Sequence, residues 1–348
     1  MVDNFRKKSS ISGKMKLVIT FSAVLLAVLW FVTSGWFWGK TVRVQRTELL
    51  MDTSFTVTVF AKNKKAGEKL LNKAFSEAKR IEHIMEPLKG DGELQRLNAR
   101  TEDSWRIMSS DLKTVLNKTL NYYNLSEGAF DPTIAPVKWL WDFKNGGRIP
   151  SEKELGQKLA FVGMSQIEIR DDSLRIRNPD VKLDLGGVAK GYTVDRMLSV
   201  LKAGGINAGL VNAGGDIAMF GKKPGNKDWI IGLRHPRMNR TLSLVSMPYT
   251  AVATSGDYER FFIEDGVRYH HILVPSTGYP ARECISVTTW TMNAMDADIL
   301  STTIFVLGPE KGLAFAEKLD NIEAAIFIEK DNKVGIVMTS GIKNRIKL

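Results

Sequence analysis

Residues 183–192, which read LDLGGVAKGY, constrain the fold more than any other part of the chain. A β-rich run reaches Asp184, two glycines follow, and apolar residues at helical spacing come next. This order predicts a strand over residues 181–185, a tight turn, and a helix over residues 190–203. Unpaired N–H groups at such a helix start attract phosphates, and the nearby carboxylate of Asp184 suits a metal ion or a ligand hydroxyl. A plain strand-to-helix turn without a ligand remains the alternative.

The hydropathy pattern divides the rest of the chain into many short strands and fewer helices. Apolar residues at helical spacing predict helices at residues 64–85, 111–125, 151–160, 297–307 and 311–319, and a short helix after a turn within residues 87–98. Alternating or β-rich runs predict strands at residues 42–48, 54–60, 167–170, 174–177, 208–220, 229–233, 242–247, 249–254, 261–263, 269–274, 285–291, 324–329 and 333–339. Residues 128–142 contain two prolines among apolar residues, which predicts an ordered, non-helical segment. Because short turns join many neighbouring strands, we expect an α+β fold with mixed, largely antiparallel sheets and packed helices.

Charge and cysteine content narrow the class of function. The 348 residues carry a formal net charge of +11, but the basic residues are scattered among acidic ones. This distribution predicts a solvated basic surface and no nucleic-acid groove. The single cysteine, Cys284, rules out an intramolecular disulfide and a thiolate zinc site.

The N-terminal region predicts a membrane anchor. Residues 17–38 carry no charge, and a helix of that length spans a hydrocarbon core about 30 Å thick. The basic residues before this run predict a cytoplasmic tail over residues 1–16 and a domain over residues 42–348 on the far side of the membrane. Those basic residues are Arg6, Lys7, Lys8, Lys14 and Lys16. A cleaved signal peptide is the alternative, although bulky tryptophans surround the only weak cleavage site, at residues 32–34.

Two pairs of residues suggest a reaction site. Asp298 and Thr302 are four residues apart near the start of a predicted helix, so their oxygens share one face and suit Mg²⁺. The alternative is a helix start at which Asp296 or Asp298 caps backbone N–H groups. His270 and His271 are consecutive in a predicted strand, so only one of them can face a given cleft and act there as a general base. One surface and one core histidine, neither of them catalytic, remain the alternative.

Eight segments together resemble the FAD:protein FMN transferase family, also called the ApbE family, over residues 47 to 337. They are MDT at 51–53, ELQRLN at 93–98, GAFDPT at 128–133, DLGGVAKGY at 184–192, NAGGD at 212–216, ATSGDY at 253–258, HILVPSTG at 271–278 and DILST at 298–302. Their order and spacing match the family pattern. The resemblance implies the family's fold, which is related to the T-fold.

The resemblance also implies an activity. Proteins of this family bind FAD and Mg²⁺, attach FMN through a phosphoester to a threonine hydroxyl of a target flavoprotein, and release AMP. By the same resemblance, Asp298, Thr302 and a backbone carbonyl near Gly187 are metal ligands, and His271 is the base towards the acceptor threonine. The positions that align with flavin- and adenine-binding residues are Met51, Leu88, Ala129, Phe130, Asp131, Asp184, Lys190 and Ile272.

The resemblance and the predicted anchor together imply a location and partners. The expected location is the bacterial inner membrane, crossed once, with the catalytic domain on the periplasmic side. The expected partners are FAD, the membrane, and a target flavoprotein that belongs to a membrane redox complex or is secreted.

Two departures from the family pattern affect the ligand pocket rather than the metal ligands or the base. Val274 stands where an acidic residue often precedes the proline, and the aromatic residue common near Leu88 is absent. Ring stacking on the ligand would then fall to Phe130 or Tyr258. Two other functions remain open: an Mg²⁺-dependent FAD pyrophosphatase, in which water replaces threonine, and a non-catalytic, membrane-tethered flavin-binding module.

Overall fold

The protein is described by a computed structural model over residues 41–245, 248–331, 333–343 and 345–346. Its helices are α1 (Lys64–Met85), α2 (Glu93–Asn98), α3 (Ser110–Leu125), α4 (Ala135–Lys138), α5 (Glu152–Leu159), α6 (Ala189–Ala203) and α7 (Ala294–Glu317). Its strands are β1 (Val42–Leu50), β2 (Thr53–Ala61), β3 (Arg106–Ile107), β4 (Ile167–Arg170), β5 (Ser173–Ile176), β6 (Gly209–Ala213), β7 (Asp216–Phe220), β8 (Ile231–Arg234), β9 (Thr241–Val245), β10 (Ala251–Gly256), β11 (Phe261–Glu264), β12 (Val267–His270), β13 (Ser286–Thr291), β14 (Glu323–Lys330) and β15 (Lys333–Met338).

Eight strands form one large sheet in the order β1-β2-β6-β7-β10-β13-β14-β15. Every neighbouring pair from β2 to β15 is antiparallel. Three smaller sheets have the orders β3-β5-β4, β8-β9 and β11-β12. The predicted α+β fold with largely antiparallel sheets and packed helices is therefore confirmed.

The long helix α6 packs against both α1 and α7, and all three helices pack against the large sheet. Alternate residues of the strands point towards them, as in β2, where Phe55 and Val57 are fully buried in a cluster shared with α1 and α6. The neighbouring residues point to the opposite face, where Val252 and Trp290 pack with Leu233 of β8. The sheet is thus covered by helices on one face and by the β8–β9 ribbon on the other.

The helix predicted over residues 64–85 has the predicted bounds, and its sequence explains them. Asn63 is the N-cap, and its side chain accepts a hydrogen bond from Ala66 N at 2.8 Å. The buried residues repeat every three or four positions and form one stripe against the sheet and α6. That stripe contains Leu71, Ala74, Phe75, Ala78, Ile81 and Met85.

Helix α7 contains the helix predicted over residues 297–307 and all but the last two residues of the helix predicted over 311–319. It begins after Asn293, whose side chain accepts from Asp296 N at 2.9 Å, so the cap is neither Asp296 nor Asp298. The two helical stretches meet at Gly308, which adopts φ 79° and ψ 176°, a conformation that favours glycine, and Pro309 starts the second stretch.

The predicted strand over residues 181–185 is wrong, although its alternation of buried residues is real. Val181, Leu183 and Leu185 are buried, but the backbone here is not part of any strand. The side chain of Asn98 takes the place of a neighbouring strand: its Oδ1 accepts from Leu183 N at 2.8 Å and its Nδ2 donates to Leu183 O at 2.9 Å. A single amide cannot extend a ladder, so the segment stays extended without becoming a strand.

The prediction of a non-helical segment over residues 128–142 is also wrong. Residues Pro132–Ile134 and Trp139–Trp141 form 3₁₀ turns on either side of α4. Each proline lies in the first turn of its helical piece, where the missing N–H has no helical partner to lose. The prolines therefore start short helices here instead of preventing them.

The predicted cytoplasmic tail and membrane span, residues 1–16 and 17–38, lie outside the described residues. Within the described part of the chain, α7 alone is long and apolar enough to cross a membrane by length and composition. Half of the most apolar stretch of α7 is buried inside the protein, and α7 packs against β10 and β13. Both features are typical of a core helix.

Replacing Asn98 should destabilise the fold more than its size suggests. Asn98→Ala leaves both backbone groups of Leu183 buried without their partners, each at a cost of about 1–3 kcal/mol. We expect the free energy of unfolding, measured by urea denaturation of the purified protein, to fall by about 2–4 kcal/mol. Asn124→Ala on the exposed face of α3 is the control and should change it by less than about 0.5 kcal/mol. Equal values for the two variants would contradict this account of the segment.

Candidate active site

The turn before α6 holds an ionised carboxylate. Asp184 Oδ1 accepts from Gly186 N at 2.8 Å, and both oxygens of Asp184 lie 3.0 Å from Lys138 Nζ. Burial alone would raise the pKa of Asp184, but the Lys138 ammonium and the Gly186 N–H hold this pKa below its ordinary value. Asp184 is therefore charged at neutral pH and oriented by two donors.

The three residues predicted to hold a metal lie together where α6 meets α7. Asp298 and Thr302 are one turn apart on α7, and Asp298 Oδ2 accepts from Gly191 N of α6 at 3.0 Å. A Cβ added to Gly187 would lie 3.4 Å from Thr302 Oγ1 and 3.1 Å from Phe130 Cε2. Gly187 is thus packed between the hydroxyl of Thr302 and the Phe130 ring, and a larger residue there would crowd both.

Lys190 lies between two buried carboxylates. Its Nζ is 2.9 Å from Asp216 Oδ2 and 3.1 Å from Asp298 Oδ1. Burial alone would lower the pKa of Lys190, but the two carboxylates raise it, so the ammonium stays charged. Burial and the neighbouring charge of Asp298 raise the pKa of Asp216 to about 7, against the opposing effect of Lys190. The two carboxylates at this junction therefore carry more negative charge than the single Lys190 ammonium neutralises.

The oxygen donors at this junction fit a hard divalent cation. Asp216 Oδ2 is buried and has no well-aligned hydrogen bond among the described residues, although it is within ion-pair distance of Lys190. Asp298 and Thr302 add a carboxylate and a hydroxyl, which are the ligand types that Mg²⁺ takes in small number before phosphate and water complete its shell. The described residues contain no group of three or more His, Cys, Asp and Glu side chains arranged around a metal position.

A chain of hydroxyl groups leads from β10 to Thr302. Ser255 Oγ lies 3.2 Å from Thr302 Oγ1 and 2.9 Å from Ser301 Oγ. Either oxygen of each pair can donate, so the orientation of the Thr302 hydroxyl is adjustable. The small residues of the segment ATSGDY therefore pack next to the predicted metal ligands.

The structure gives the two consecutive histidines different surroundings. The strand predicted over residues 269–274 is only partly present: the observed strand, β12, covers Val267–His270 and ends before His271. His270 is buried, its Nε2 lies 2.7 Å from Ala281 O, and its ring packs edge-on against Phe305. Burial lowers the pKa of His270 to about 4. His270 is therefore a neutral core histidine.

His271 directly follows β12 and faces the charged residues of the site. Its backbone N donates to Arg260 O at 3.0 Å, and its buried Nδ1 has no hydrogen-bond partner among the described residues. Burial, followed by the charges of Lys138, Arg260 and Lys190, holds the pKa of His271 well below its ordinary value. The imidazole is thus neutral at physiological pH and able to accept a proton.

Four further predicted residues lie around this centre, mostly in the core. Phe130 is buried against Gly187. Asp131 caps the Pro132–Ile134 turn, with Oδ1 accepting from Thr133 N at 2.8 Å, and burial raises the pKa of Asp131. Ala129 precedes Phe130 and is partly buried, whereas Ile272 follows His271 and is buried.

Two predicted residues lie farther out. Met51 occupies the turn between β1 and β2 with φ 49°, and its Sδ lies 3.6 Å from Thr193 Oγ1 on α6. Leu88, in the turn after α1, has 48% of its surface exposed. Leu88 is the predicted site residue that the structure ties least to the centre.

Sequence reasoning did not assign two residues that the structure places at the centre. Asp216 was part of the motif NAGGD, but its pairing with Lys190 joins positions 26 residues apart, and no local pattern reveals it. Lys138 lies in the proline-rich segment and contacts Asp184, 46 residues further along the chain. Asp257 is paired with Arg237 at 2.6 Å, and Tyr258 packs over the backbone of Gly256.

Comparisons with known proteins agree with this geometry. A sequence model of the ApbE family matches residues 51–326. The chain is 30% identical to an FAD:protein FMN transferase of Treponema pallidum over 345 residues, which cover 93% of this chain and 94% of the relative. A relative of the same name from Vibrio cholerae is 34% identical over 254 residues, which cover 71% of this chain and 76% of the relative.

Solved structures show the same similarity. The crystal structure of the ApbE protein of Thermotoga maritima superposes with a TM-score of 0.81 at 31% identity, covering 88% of this chain and 100% of that chain. The flavin transferase ApbE of Vibrio cholerae gives a TM-score of 0.79 at 28% identity with the same coverage. The similarity therefore extends over nearly the whole described chain.

Removing the Lys190 ammonium should destabilise the folded protein, because Asp216 and Asp298 lose their shared cation. Lys190→Met leaves two buried carboxylates without their shared cation, and we expect a loss of about 3–5 kcal/mol in the free energy of unfolding at pH 8. Burial already raises the pKa of Asp216 above its unfolded value, and the loss of Lys190 removes an opposing effect, so the folded state binds more protons and stability falls as pH rises from about 4 to above 7. Mg²⁺ should restore part of the loss in thermal unfolding experiments, because it binds the folded state.

The matched control is Lys144→Met, which breaks the exposed pair of Lys144 with Asp52. An exposed pair contributes less than about 1 kcal/mol and offers no buried donors to Mg²⁺. If Lys190→Met is as stable as the wild type at pH 8 and does not respond to Mg²⁺, the junction is not a cation site.

Proposed function

The chain belongs to the ApbE family, and on that premise we propose that it transfers FMN from FAD to a threonine hydroxyl of a target flavoprotein. The observation that supports this most strongly is the meeting of Gly187, Asp298 and Thr302 at the α6–α7 junction, inside the matched residues 51–326. His271 follows a separate hairpin, yet its surroundings include Lys138 and Lys190 of the same centre. These are the groups that phosphoryl transfer to an alcohol requires.

The residues that would hold Mg²⁺ are Asp298, Thr302 and the backbone at Gly187. An Mg²⁺ ion bound there would neutralise negative charge on the pyrophosphate during phosphoryl transfer. Lys190 contributes a second positive charge close to the phosphates. Together these groups position the pyrophosphate and offset its charge.

The transfer replaces the phosphoanhydride bond of FAD with a phosphoester bond to the acceptor. The threonine oxygen of the acceptor forms a bond to the phosphorus of the FMN half of FAD, and the bond from that phosphorus to the bridging oxygen breaks. AMP leaves with the bridging oxygen. His271, whose ring is neutral before the reaction, is the group that would accept the hydroxyl proton. The Phe130 ring beside Gly187 provides an apolar wall near the phosphates.

A transfer assay with an acceptor tests this function. The purified protein, FAD and Mg²⁺ are mixed with candidate periplasmic flavoproteins, and covalent flavin is detected by its fluorescence on a denaturing gel, together with AMP release. A fluorescent acceptor band supports the transferase. AMP and free FMN without such a band would show a pyrophosphatase, and FAD bound but unchanged would show a flavin-binding module.

We also propose that residues 17–38 anchor the protein in the bacterial inner membrane with the catalytic domain in the periplasm. The uncharged run and the basic residues before it support this orientation. The acceptor is then a membrane redox subunit or a secreted flavoprotein, which the enzyme meets on that side of the membrane.

A fusion experiment tests the orientation. Alkaline phosphatase fused after residue 45 should be active, since this enzyme folds only when it is exported, and the fusion should remain in the membrane fraction. An inactive fusion would place the domain in the cytoplasm. Recovery of a soluble form with a mature N-terminus near residue 35 would instead show a cleaved signal peptide.

Asp298→Ala and His271→Ala should fail for different reasons. Asp298→Ala removes the metal carboxylate, so we expect loss of both FMN transfer and AMP release, with partial rescue by excess Mg²⁺. His271→Ala should still bind FAD and Mg²⁺ but transfer FMN about 10²–10⁴-fold more slowly, with some recovery at higher pH because hydroxide partly replaces the base.

The exposed histidine His83 provides the control, since His83→Ala changes no residue of the site and should transfer FMN at the wild-type rate. Stopped-flow measurement of flavin transfer and calorimetry of Mg²⁺ binding separate the two defects. Wild-type transfer by His271→Ala would show that the base is another group.

A further inference from the structure

The N-terminal turns of α6 and α7 are joined by two carboxylates that act in opposite directions. Asp195 of α6 accepts from Ala294 N and Met295 N, the first two amides of α7, at 2.9 Å each. Asp298 of α7 accepts from Gly191 N near the start of α6 at 3.0 Å. Each helix therefore supplies the carboxylate that satisfies unpaired N–H groups at the start of the other.

The spacing of these contacts makes the junction rigid. Gly191 and Asp195 are one turn apart on α6, and Ala294 and Asp298 are one turn apart on α7. Two contacts separated by a turn on both helices fix their distance and their relative rotation. The helices also approach closely, because a Cβ on Gly191 would come within 2.3 Å of Ala294 O.

The proposed site depends on this alignment at both ends. Lys190 and the turn at Gly187 are at the start of α6, while Asp298 and Thr302 are on α7. Any slip of α7 along α6 moves Asp298 relative to Gly187 and Lys190. The N-cap residue Asn293 bonds only the third amide of α7, Asp296 N, so Asp195 of α6 supplies the partner for the first two amides.

We propose that Asp195 is a positioning residue for the cation site, acting through the placement of Asp298. The inference rests on the proposed function only in identifying the cation as Mg²⁺. Asp195 touches neither substrate nor metal. It holds α7 in the register at which Asp298 and Thr302 meet Gly187.

The test compares Asp195→Asn with Asp296→Asn. Both variants remove one negative charge and keep the side-chain shape, but only Asp195 joins α7 to α6, since Asp296 contacts Lys118, Tyr122 and Asn293. The readouts are Mg²⁺ affinity by calorimetry and the amide hydrogen exchange of Gly191, both on the full chain. Loss of an outer-shell partner typically weakens metal binding about 10–100-fold, so we expect at least a tenfold loss for Asp195→Asn. Asp296→Asn should stay within about threefold of the wild type, because its effect is through screened charge alone.

Exchange at Gly191 reports the helix alignment without requiring the metal. It should be faster in Asp195→Asn and unchanged in Asp296→Asn. Asp195→Glu keeps both carboxylate oxygens and the charge but lengthens the side chain by one methylene. An intermediate loss of Mg²⁺ affinity in this variant supports the proposal. If Asp195→Asn does not fold, Asp195→Glu decides the question.

Wild-type Mg²⁺ affinity together with unchanged Gly191 exchange in the Asp195 variants overturns the positioning role. Equal losses in Asp195→Asn and Asp296→Asn overturn it as well, because charge alone then explains both. A wild-type protein that binds Mg²⁺ but transfers no FMN would overturn the proposed transferase, while the comparison of variants still decides the role of Asp195.

Discussion

The close contact between the first turns of α6 and α7 is the constraint on which the rest of the site depends. Gly191 permits it, because any side chain at this position would collide with the backbone of Ala294. The contact places Lys190 against Asp298 and brings Gly187 beside Thr302. These residues come from distant parts of the chain, so the large sheet and its layer of helices serve to hold two helix ends at one point.

Electrostatics at this point favours a cation and phosphates together. Two buried carboxylates, Asp216 and Asp298, share the ammonium of Lys190. Asp184, six residues before Lys190, forms an ion pair with Lys138. Burial would be costly for this much charge without partners, and a divalent cation with a pyrophosphate supplies both signs at once. His271 stays neutral among these charges, so one site holds ionised groups beside an uncharged imidazole.

The sequence predicted those parts of the structure that follow from local periodicity. The apolar stripe of α1 and the alternation of β2 gave the correct elements, and the spacing of Asp298 and Thr302 correctly placed both on one helical face. The prediction failed where a side chain from far along the chain replaces a backbone partner. Residues 181–185 alternate as a strand does, but Asn98, 85 residues away, supplies both backbone hydrogen bonds of Leu183. The place of Asp216 at the site was not predicted for the same reason, since it depends on the contact with Lys190, 26 residues earlier in the chain.

The central claim is that the α6–α7 junction holds the divalent cation that serves the phosphates of FAD. Anomalous diffraction from crystals grown with FAD and Mn²⁺, a substitute for Mg²⁺, tests it most directly. We expect an anomalous peak bonded to oxygens of Asp298 and Thr302, next to Gly187 and to the pyrophosphate. FAD bound with no peak at this junction, or with the peak elsewhere, would contradict the account.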